Sequence, residues 1–239
     1  MFKVVWDERG VPRSPVFNDK YFCEHNGLAD AEHIFCDGNR LRERFSALDP
    51  QQAGVFTIIE TGFGTGLDFC MIWQIWDTEA PVSWRLRFVS IELYPLSKVD
   101  IGQALQVWPV LTRYREALLS VYDPAPPGRV LRAVLDDGRV SLDLVFDEVQ
   151  IALSRIKDEG LAPQGADAFF LDGFAPSRNP GMWVPEIFAA AAGLSRAGTT
   201  FATFTAAGHV RRGLAAAGFS VRRPSGYAGK KDILTGVFD

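Results

Sequence analysis

Cysteine is scarce in this sequence, with three residues among 239. They form no Cys-x-x-Cys pair and are too few for a disulfide framework, so we expect a reducing compartment. The sequence also lacks an apolar run long enough to span a membrane, and Asp7 and Glu8 precede any stretch typical of a signal peptide. We therefore expect a cytoplasmic protein.

An excess of positive charge is absent as well. The 29 acidic side chains outnumber the 25 lysines and arginines, and the formal net charge is -4. Proteins that coat nucleic acids neutralise many phosphates and are usually basic. Any contact with RNA must therefore be local, and the basic candidates are Arg178, Arg211-Arg212, Arg222-Arg223 and Lys230-Lys231. These charges equally fit an ordinary solvated surface.

No internal repeat or low-complexity tract occurs, which argues against a solenoid or a propeller. Short apolar runs instead alternate with helical patterns from Val55 onward, as in a parallel sheet flanked by helices. These runs cover residues 56–59, 88–91, 168–171 and 200–204. The alternation predicts one α/β domain over residues 51–239, with residues 1–50 as an N-terminal extension packed on the same domain.

Helical patterns fill the gaps between the apolar runs. Ser97 with Asp100 is typical of a helix N-cap, and Pro185 suits a first helical position. The predicted helices are Leu67–Trp76, Ser97–Val107, Val149–Ile156, Pro185–Leu194 and Val210–Ala217.

Two further pairs of apolar runs predict antiparallel strands. Residues 130–135 and 140–146 flank Asp136-Asp137-Gly138, whose glycine favours the positive φ of a hairpin loop. Residues 219–221 and 233–237 are predicted to close one edge of the sheet.

A glycine-rich turn follows the first of the apolar runs. Gly62, Gly64 and Gly66 lie between that strand and a helix beginning at Leu67. Glycines let the backbone approach a ligand closely, and the helix start presents free N–H groups. The spacing is neither the Gly-x-Gly-x-x-Gly of dinucleotide-binding proteins nor a P-loop, which favours an adenosyl ligand without phosphates. A tight turn without any ligand is the alternative.

Acidic residues follow two other strands. Glu92 ends the strand after the glycine turn, where a carboxylate can accept hydrogen bonds from both ribose hydroxyls. Asp172 follows the strand 168–171 and opens a loop with Phe174, Pro176 and Trp183. Such a loop can stack a flat base and hydrogen-bond its polar group, as in enzymes that act on extruded bases. The alternative is that the two aromatic rings fill the core beneath the loop.

Taken together, these residues resemble one family over nearly the whole chain. The sequence is similar to the MnmC-type tRNA wobble-uridine methyltransferases, which occur as one domain of a bifunctional enzyme or as stand-alone MnmD proteins. The matching blocks are residues 17–22 with 26–28, residues 38–39 with 41 and 44–45, residues 60–67, residues 172–176 with 179–180 and 182–183, and residues 211–214 with 217–219. The Asp-Gly-Phe-Ala-Pro block at 172–176 is specific to this family.

The resemblance implies a fold and a reaction. The fold is that of Rossmann-like class I methyltransferases, a mostly parallel seven-stranded sheet with helices on both faces and an antiparallel edge strand. The reaction transfers a methyl group from S-adenosylmethionine to the exocyclic amine of 5-aminomethyl-2-thiouridine at the tRNA wobble position. The flavin-dependent oxidase half of the bifunctional enzyme has no room in this chain, so a separate oxidase partner is possible.

The resemblance also implies roles for individual residues. Asp172 is the expected catalytic residue, next to the reacting amine. The expected cofactor-binding residues are Glu60, Gly62, Gly64, Gly66, Glu92 and Asp147, with Glu92 at the ribose and Asp147 at the adenine. The expected tRNA-binding residues are Phe174, Pro176, Arg178, Trp183, Lys230 and Lys231.

Other functions stay open at this point. A methyltransferase for another amine or small molecule would keep the cofactor residues, a dehydrogenase would share the glycine turn and Glu92, and a non-catalytic RNA-binding module would keep only the fold.

A zinc site is a further alternative, because the residue types that bind zinc occur close together at Cys23, His25, His33 and Cys36. Their spacing matches no common zinc module, so we expect no metal.

Overall fold

A twisted sheet of eight strands forms the centre of the computed structural model, which describes residues 3–23, 26–229 and 232–239. A separate sheet of three short strands lies near the N-terminus. In chain order the strands are β1 (Val5–Trp6), β2 (Pro12–Ser14), β3 (Asp19–Lys20), β4 (Gly54–Glu60), β5 (Trp84–Ile91), β6 (Arg129–Leu135), β7 (Val140–Phe146), β8 (Ala166–Phe170), β9 (Ser195–Thr203), β10 (Phe219–Arg222) and β11 (Leu234–Phe238).

The strand order of the large sheet is β10-β11-β9-β8-β4-β5-β7-β6. The five middle strands run parallel, whereas β6 is antiparallel to β7 and β11 is antiparallel to both of its neighbours. The predicted mostly parallel sheet is therefore confirmed, but the predicted number of seven strands is wrong. The difference arises because antiparallel strands occupy both edges, β6 from the central hairpin on one side and the β10–β11 pair on the other.

Side chains of the middle strands alternate between two cores. Ile58 and Phe170 point to one face of the sheet, while Ile59 and Phe169 point to the other, and all four are fully buried. Parallel strands covered by helices on both faces have this near-continuous apolar composition. The alternation explains why these strands appear in the sequence as unbroken apolar runs.

Helices cover both faces of the sheet, and none in the described ranges is long and apolar enough to cross a membrane. The α-helices are α1 (Gly27–Ala31), α2 (Leu41–Ser46), α3 (Leu67–Glu79), α4 (Lys98–Leu105), α5 (Thr112–Val121), α6 (Val149–Asp158), α7 (Pro185–Ala192) and α8 (Gly208–Ala216). A π-helical segment, Glu32–Asp37, follows α1, and 3₁₀ turns occur at Pro109–Leu111, Asp136–Gly138, Pro180–Met182 and Tyr227–Gly229.

The predicted helix starts match the local chemistry of the structure. The Ser97 hydroxyl accepts a hydrogen bond from the Asp100 amide at 3.0 Å, and Pro185 is the first residue of α7. The five predicted helices are all present, whereas α5 and the N-terminal helices were not predicted. The predicted hairpin is also present, with positive φ at Asp136 and Asp137 as well as at Gly138.

The first fifty residues pack against the large sheet. Phe35 stacks on Phe170 with ring centroids 5.0 Å apart, and Phe45 packs against Trp76. The guanidinium of Arg44 donates hydrogen bonds to the Thr200 hydroxyl and to a backbone carbonyl of β8. These contacts attach the N-terminal segment to strands that lie far away in sequence.

Candidate active site

A cavity of about 600 Å³ opens at the carboxyl edge of the large sheet. Residues that follow β4, β5, β7 and β8 form its wall, together with residues 17–23 near the N-terminus. The strand order reverses between β4 and β8, because the chain proceeds from β4 toward β5 but later returns to β8 on the other side. In open α/β sheets, ligands bind at such a switch point.

The glycine turn after β4 forms the floor of this cavity. Gly62 and Gly64 line it, and a Cβ atom added to Gly62 would lie 3.1 Å from the carbonyl oxygen of Asp172. Gly64 has φ +52, and a Cβ there would meet the ring of Tyr21 at 3.3 Å. The turn therefore depends on glycine both for its backbone conformation and for space.

Gly66 lies at the start of α3 and is absent from the described cavity lining. It has φ +73 and directly precedes α3, and a Cβ there would lie within 3.0 Å of side-chain atoms of Leu118 and Phe63. Gly66 therefore starts the helix, and its contact with the cofactor stays a prediction.

Glu92 connects the glycine turn to the loop after β5. Its Oε2 accepts a hydrogen bond from the Gly64 amide and its Oε1 accepts one from the Tyr94 amide, both at 2.8 Å. Burial raises the pKa of Glu92, and these backbone N–H groups oppose that shift. Because each carboxylate oxygen has a second lone pair, both oxygens can accept one more hydrogen bond from a ligand in the cavity.

Asp172 lies across the cavity floor from Gly62, at the end of β8. The Thr61 hydroxyl donates a hydrogen bond to its carbonyl oxygen at 2.6 Å, which holds the two strand ends together. The pKa of Asp172 is raised to about 7, chiefly because burial disfavours the charged form. The carboxylates of Glu92 and Asp19 raise this pKa further, whereas the Gly173 N–H lowers it. A carboxyl group in this state can accept a proton near neutral pH.

A protein-family model described as S-adenosyl-L-methionine-dependent methyltransferase matches residues 109–239. The match covers more than half of the 239 residues. The chain belongs to this methyltransferase family. The dehydrogenase alternative is therefore excluded and the predicted cofactor, S-adenosylmethionine, is confirmed, whereas its position at the glycine turn stays a prediction.

Curated relatives of this methyltransferase carry the name tRNA 5-methylaminomethyl-2-thiouridine biosynthesis bifunctional protein MnmC. The protein from Methylobacillus flagellatus is 47% identical over 233 residues, which cover 98% of this chain and 34% of the relative. The protein from Chromobacterium violaceum is 47% identical over 234 residues, with the same coverage. The chain thus spans about a third of the length of these relatives.

A solved structure of MNMC2 from Aquifex aeolicus has the same fold. It superposes with a TM-score of 0.74 at 16% sequence identity and covers 98% of this chain and 69% of that one. This likeness supports the architecture of the methyltransferase domain, including the N-terminal segment.

The cavity of this methyltransferase fits the adenosyl cofactor. Side chains at Gly62 or Gly64 would fill the space above the turn, and Glu92 offers free lone pairs beside it. Asp147 lines the cavity beyond Glu92, where it forms an ion pair with Arg155 at 3.3 Å. These positions agree with the expected order of methionine, ribose and adenine contacts, and the individual roles stay predictions.

Glu60 lies beneath the cavity wall. It is 1% exposed, is absent from the described cavity lining, and accepts a hydrogen bond from the Ser90 hydroxyl at 2.5 Å. Its carboxyl group is hydrogen-bonded to that of Asp68, which does line the cavity. The structure thus places Asp68, and not Glu60, at the cavity wall, and the cofactor role of Glu60 stays a prediction.

Sequence analysis missed Asp68. An acidic residue in the first turn of a helix is common because it favours the positive helix end. Here Asp68 is only 7% exposed, and burial raises its pKa and that of Glu60 well above the usual values. The available signal was its position between Leu67 and Phe69, since a carboxylate between apolar residues of a buried helix has to face a polar site.

The loop after β8 divides its residues between the cavity and the core. Phe174 lines the cavity, whereas Trp183 is 4% exposed and packs against Phe204 in the core. The Trp183 indole N–H donates a hydrogen bond to the Phe174 carbonyl at 2.9 Å. Base stacking by Trp183 does not fit this burial, and the position of the ring agrees with the alternative that it fills the core beneath the loop.

Two of the remaining predicted substrate residues, Pro176 and Arg178, do not line the cavity. Pro176 and Arg178 belong to the same loop and are absent from the described lining, and Arg178 is exposed. Lys230 and Lys231 fall outside the described residues. A direct contact of Pro176 or Arg178 with the reacting base does not fit these positions, but a contact with more distant nucleotides does.

N-terminal residues form a cover over the cavity that sequence analysis did not assign. Phe17, Asp19, Tyr21 and Phe22 all line it. The Oδ2 atom of Asp19 accepts a hydrogen bond from the Ala175 amide at 3.0 Å, which links the cover to the loop after β8. The family resemblance of residues 17–22 was the signal for this site.

The zinc alternative finds no support among the described residues, where no group of three or more His, Cys, Asp or Glu side chains is placed to hold a metal. His25 lies outside those residues. Cys36 is buried, which raises its thiol pKa to about 12, and His33 Nε2 is hydrogen-bonded to the Ser225 carbonyl.

Proposed function

We propose that this chain methylates the exocyclic amine of 5-aminomethyl-2-thiouridine at the wobble position of tRNA. The product is 5-methylaminomethyl-2-thiouridine, the nucleoside that appears in the name of the MnmC relatives. One arrangement carries the proposal: Asp172 stands directly beside the glycine turn, with the Phe174 ring in the same cavity.

The reaction requires a neutral amine. Bound S-adenosylmethionine supplies an activated methyl group, and the amine must present a free lone pair to it. An aliphatic amine is protonated near neutral pH, so the site must favour its free base. Burial of an ammonium ion lowers its pKa, and Asp172 can take the released proton because its own pKa is raised to about 7.

The base itself needs a flat apolar surface and exclusion of water. Phe174 offers such a surface inside the cavity, and the rings of the N-terminal cover line the same cavity beside it. Holding the amine close to the methyl donor accounts for much of the catalytic effect in a displacement of this kind. Asp172 also accepts a hydrogen bond from the amine in this proposal and orients its lone pair.

Docking of the tRNA depends on local positive charge in this proposal. Arg178 is exposed on the loop after β8, and the first turn of α8, with exposed Arg211 and Arg212, follows the neighbouring strand β9. Arg178 and the lysines 230 and 231 are assigned to phosphate contacts that position the anticodon loop. A tRNA substrate also implies a cytoplasmic protein.

The source of the amine is a further part of the proposal. The MnmC relatives are bifunctional and about three times as long as this chain. A separate flavin-dependent oxidase is the proposed partner where the aminomethyl group has to be released from a larger precursor.

The decisive experiment uses tRNA from cells that lack this methylation. The protein is incubated with labelled S-adenosylmethionine and this tRNA, and the nucleosides are identified by mass spectrometry. We expect label in 5-methylaminomethyl-2-thiouridine, and little with Asp172→Asn. Label in another nucleoside, or none, would rule out the proposed substrate.

Charge reversal tests the docking surface separately. Lys230→Glu combined with Lys231→Glu is expected to raise the KM for tRNA and to leave cofactor affinity unchanged. Glu186→Lys, on the exposed first turn of α7, serves as a charge-change control. Unchanged methylation by the double variant would contradict the role of these lysines.

A further inference from the structure

Phe17 stacks face to face on Phe174 inside the cavity. The ring centroids are 4.7 Å apart and the planes are inclined by 25°. Tyr94 meets Phe17 edge-on at 5.5 Å, and Tyr21 meets Phe174 edge-on at 5.2 Å. All four rings line the cavity. The two stacked rings therefore form one wall of the substrate end, framed by two tyrosines.

The turn that bears Phe17 belongs to the small N-terminal sheet and not to the large one. It connects β2 to β3, and these strands pair only with each other and with β1 among the described residues. The Phe17 amide donates a hydrogen bond to Ser14 Oγ within the same turn, and Val16 is 59% exposed. The large sheet therefore does not fix the Phe17 turn through strand pairing, and Asp19 joins this segment to the loop after β8 by its hydrogen bond with the Ala175 amide.

The two rings are in contact with each other, so they must separate before one flat group can insert between them. A planar base between two rings requires about 7 Å between them, since aromatic faces pack at about 3.5 Å. Separation of the rings by at least about 2 Å is needed to create this gap. The Trp183 indole bonds to the backbone of the loop after β8, and the hydrogen bond between Asp19 and the Ala175 amide joins this loop to the segment that bears Phe17.

The position along the sheet distinguishes a substrate base from the cofactor adenine. Phe174 follows β8, whereas Asp147 and Val149 at the far end of the cavity follow β7. Strands β4 and β5 lie between these two ends. A ring stacked on Phe174 is thus next to Asp172 and is separated from the predicted adenine end.

We propose that Phe17 is a substrate-positioning residue and that the pyrimidine of the extruded wobble nucleotide inserts between Phe17 and Phe174. This inference rests on the proposed tRNA substrate. The two rings hold both faces of the base, and its exocyclic amine then extends toward Asp172. Stacking on an aromatic side chain strengthens binding of a base by about 5- to 150-fold. Loss of the Phe17 ring is therefore expected to weaken binding of the wobble base by a factor in this range.

Fluorescence of the base itself measures insertion without relying on activity. An anticodon stem–loop RNA with pyrrolocytosine at the wobble position is titrated with protein saturated with S-adenosylmethionine. Stacking between two rings is expected to quench the fluorescence with the wild-type protein. Phe17→Leu keeps an apolar side chain but removes the aromatic face, and it is expected to weaken binding at least about 5-fold and to abolish most of the quenching.

Two matched variants and a crosslinking experiment on the wild-type protein distinguish the loss of stacking from misfolding. Phe17→Tyr is expected to restore quenching, and Val16→Ala in the same turn is expected to change nothing. Unchanged quenching and KM for tRNA in Phe17→Leu would overturn the inference. Photo-crosslinking of the wild-type protein to a stem–loop with 5-iodouridine at the wobble position is expected to modify Phe17 or Phe174, and a crosslink that maps elsewhere would also overturn it.

The two proposals fail in different ways. If the wild-type protein methylates the wobble nucleoside but Phe17→Leu behaves like it, only the insertion site is wrong. If the wild-type protein neither binds the stem–loop nor labels the wobble nucleoside, the tRNA substrate is wrong and the insertion site is overturned with it.

Discussion

The carboxylate of Glu92 accepts a hydrogen bond from the backbone amide of Gly64, with 2.8 Å between Oε2 and N. This bond joins two loops at the carboxyl edge of the sheet, the glycine turn after β4 and the loop after β5. Parallel neighbouring strands bring these loops together, and the bond fixes the side chain that the cofactor ribose is expected to meet.

Replacement of Glu92 is expected to weaken cofactor binding more than stability. Glu92→Gln loses one hydrogen-bond acceptor and the negative charge. Loss of a hydrogen bond to a charged group weakens binding by about 10- to 100-fold. Titration calorimetry with S-adenosylmethionine measures the change, and circular dichroism checks the fold. Glu186→Gln on an exposed surface is the control, and equal affinities in all three proteins would contradict the role of Glu92.

Gly62→Ala is expected to impair catalysis through Asp172. The new Cβ would lie 3.1 Å from the Asp172 carbonyl oxygen, so the two strand ends must separate by a few tenths of an ångström. Small misplacements of reacting groups lower rates by about 100-fold. Single-turnover kinetics measures the effect. Gly181→Ala also faces the cavity but meets nothing closer than 3.9 Å, and it is expected to retain activity.

The rate of methyl transfer is expected to rise with pH through about 7. The pKa of Asp172 is raised to about 7, and only its ionised form accepts a proton from the amine. Asp172→Asn should lower the rate by about 100-fold or more and remove the inflection near pH 7. Rates measured under saturating conditions between pH 5.5 and 9 test this, and an unaltered profile in the variant would assign the inflection to another group.

Stability of the cofactor-free protein is expected to fall as pH rises from 5 to 8. Burial raises the pKa values of Glu60, Asp68 and Asp172, so the folded state binds more protons than the unfolded state in this range. The free energy of unfolding then decreases by up to about 1.4 kcal/mol per pH unit for each such proton. The stabilising contribution is complete at pH values below the ordinary pKa of a carboxyl group, and it is lost as the pH rises through the raised pKa values.

Asp68→Asn tests this linkage. The amide oxygen can still accept the hydrogen bond from the Glu60 carboxyl group, but one buried ionisable group is gone. We expect a shallower dependence on pH and higher stability than the wild-type protein at pH 8, measured by urea unfolding at pH 5.5 and 8. An unchanged dependence in the variant would show that Asp68 is ionised without cost in the folded protein.

Several parts of the site were predictable because they depend on short segments. The turn 62–66 is encoded by a buried strand, alternating glycines and a helix start within ten residues. Glu92 and Asp172 were found because each directly follows an apolar strand, and parallel strands place their carboxyl ends at one edge. The local pattern of apolar residues and the direction of the strands were sufficient to predict these positions.

Contacts between distant segments were not predictable in the same way. The Glu60–Asp68 pair depends on how α3 packs against β4, and the burial of Trp183 depends on the position of Phe204. Each of the eight strands of the large sheet coincides with an apolar run of the sequence, and the number of seven came from the family resemblance, not from the pattern.

By itself the sequence determined the glycine turn, the acidic strand ends and the class of cofactor, since these follow from residues that are neighbours along the chain. Only the tertiary structure decided that Phe17 lies on Phe174 and that Asp19 binds the Ala175 amide, 156 residues away. Such contacts arise from the packing of whole elements, in which the burial of large apolar surfaces selects one arrangement and the cavity is formed as its consequence.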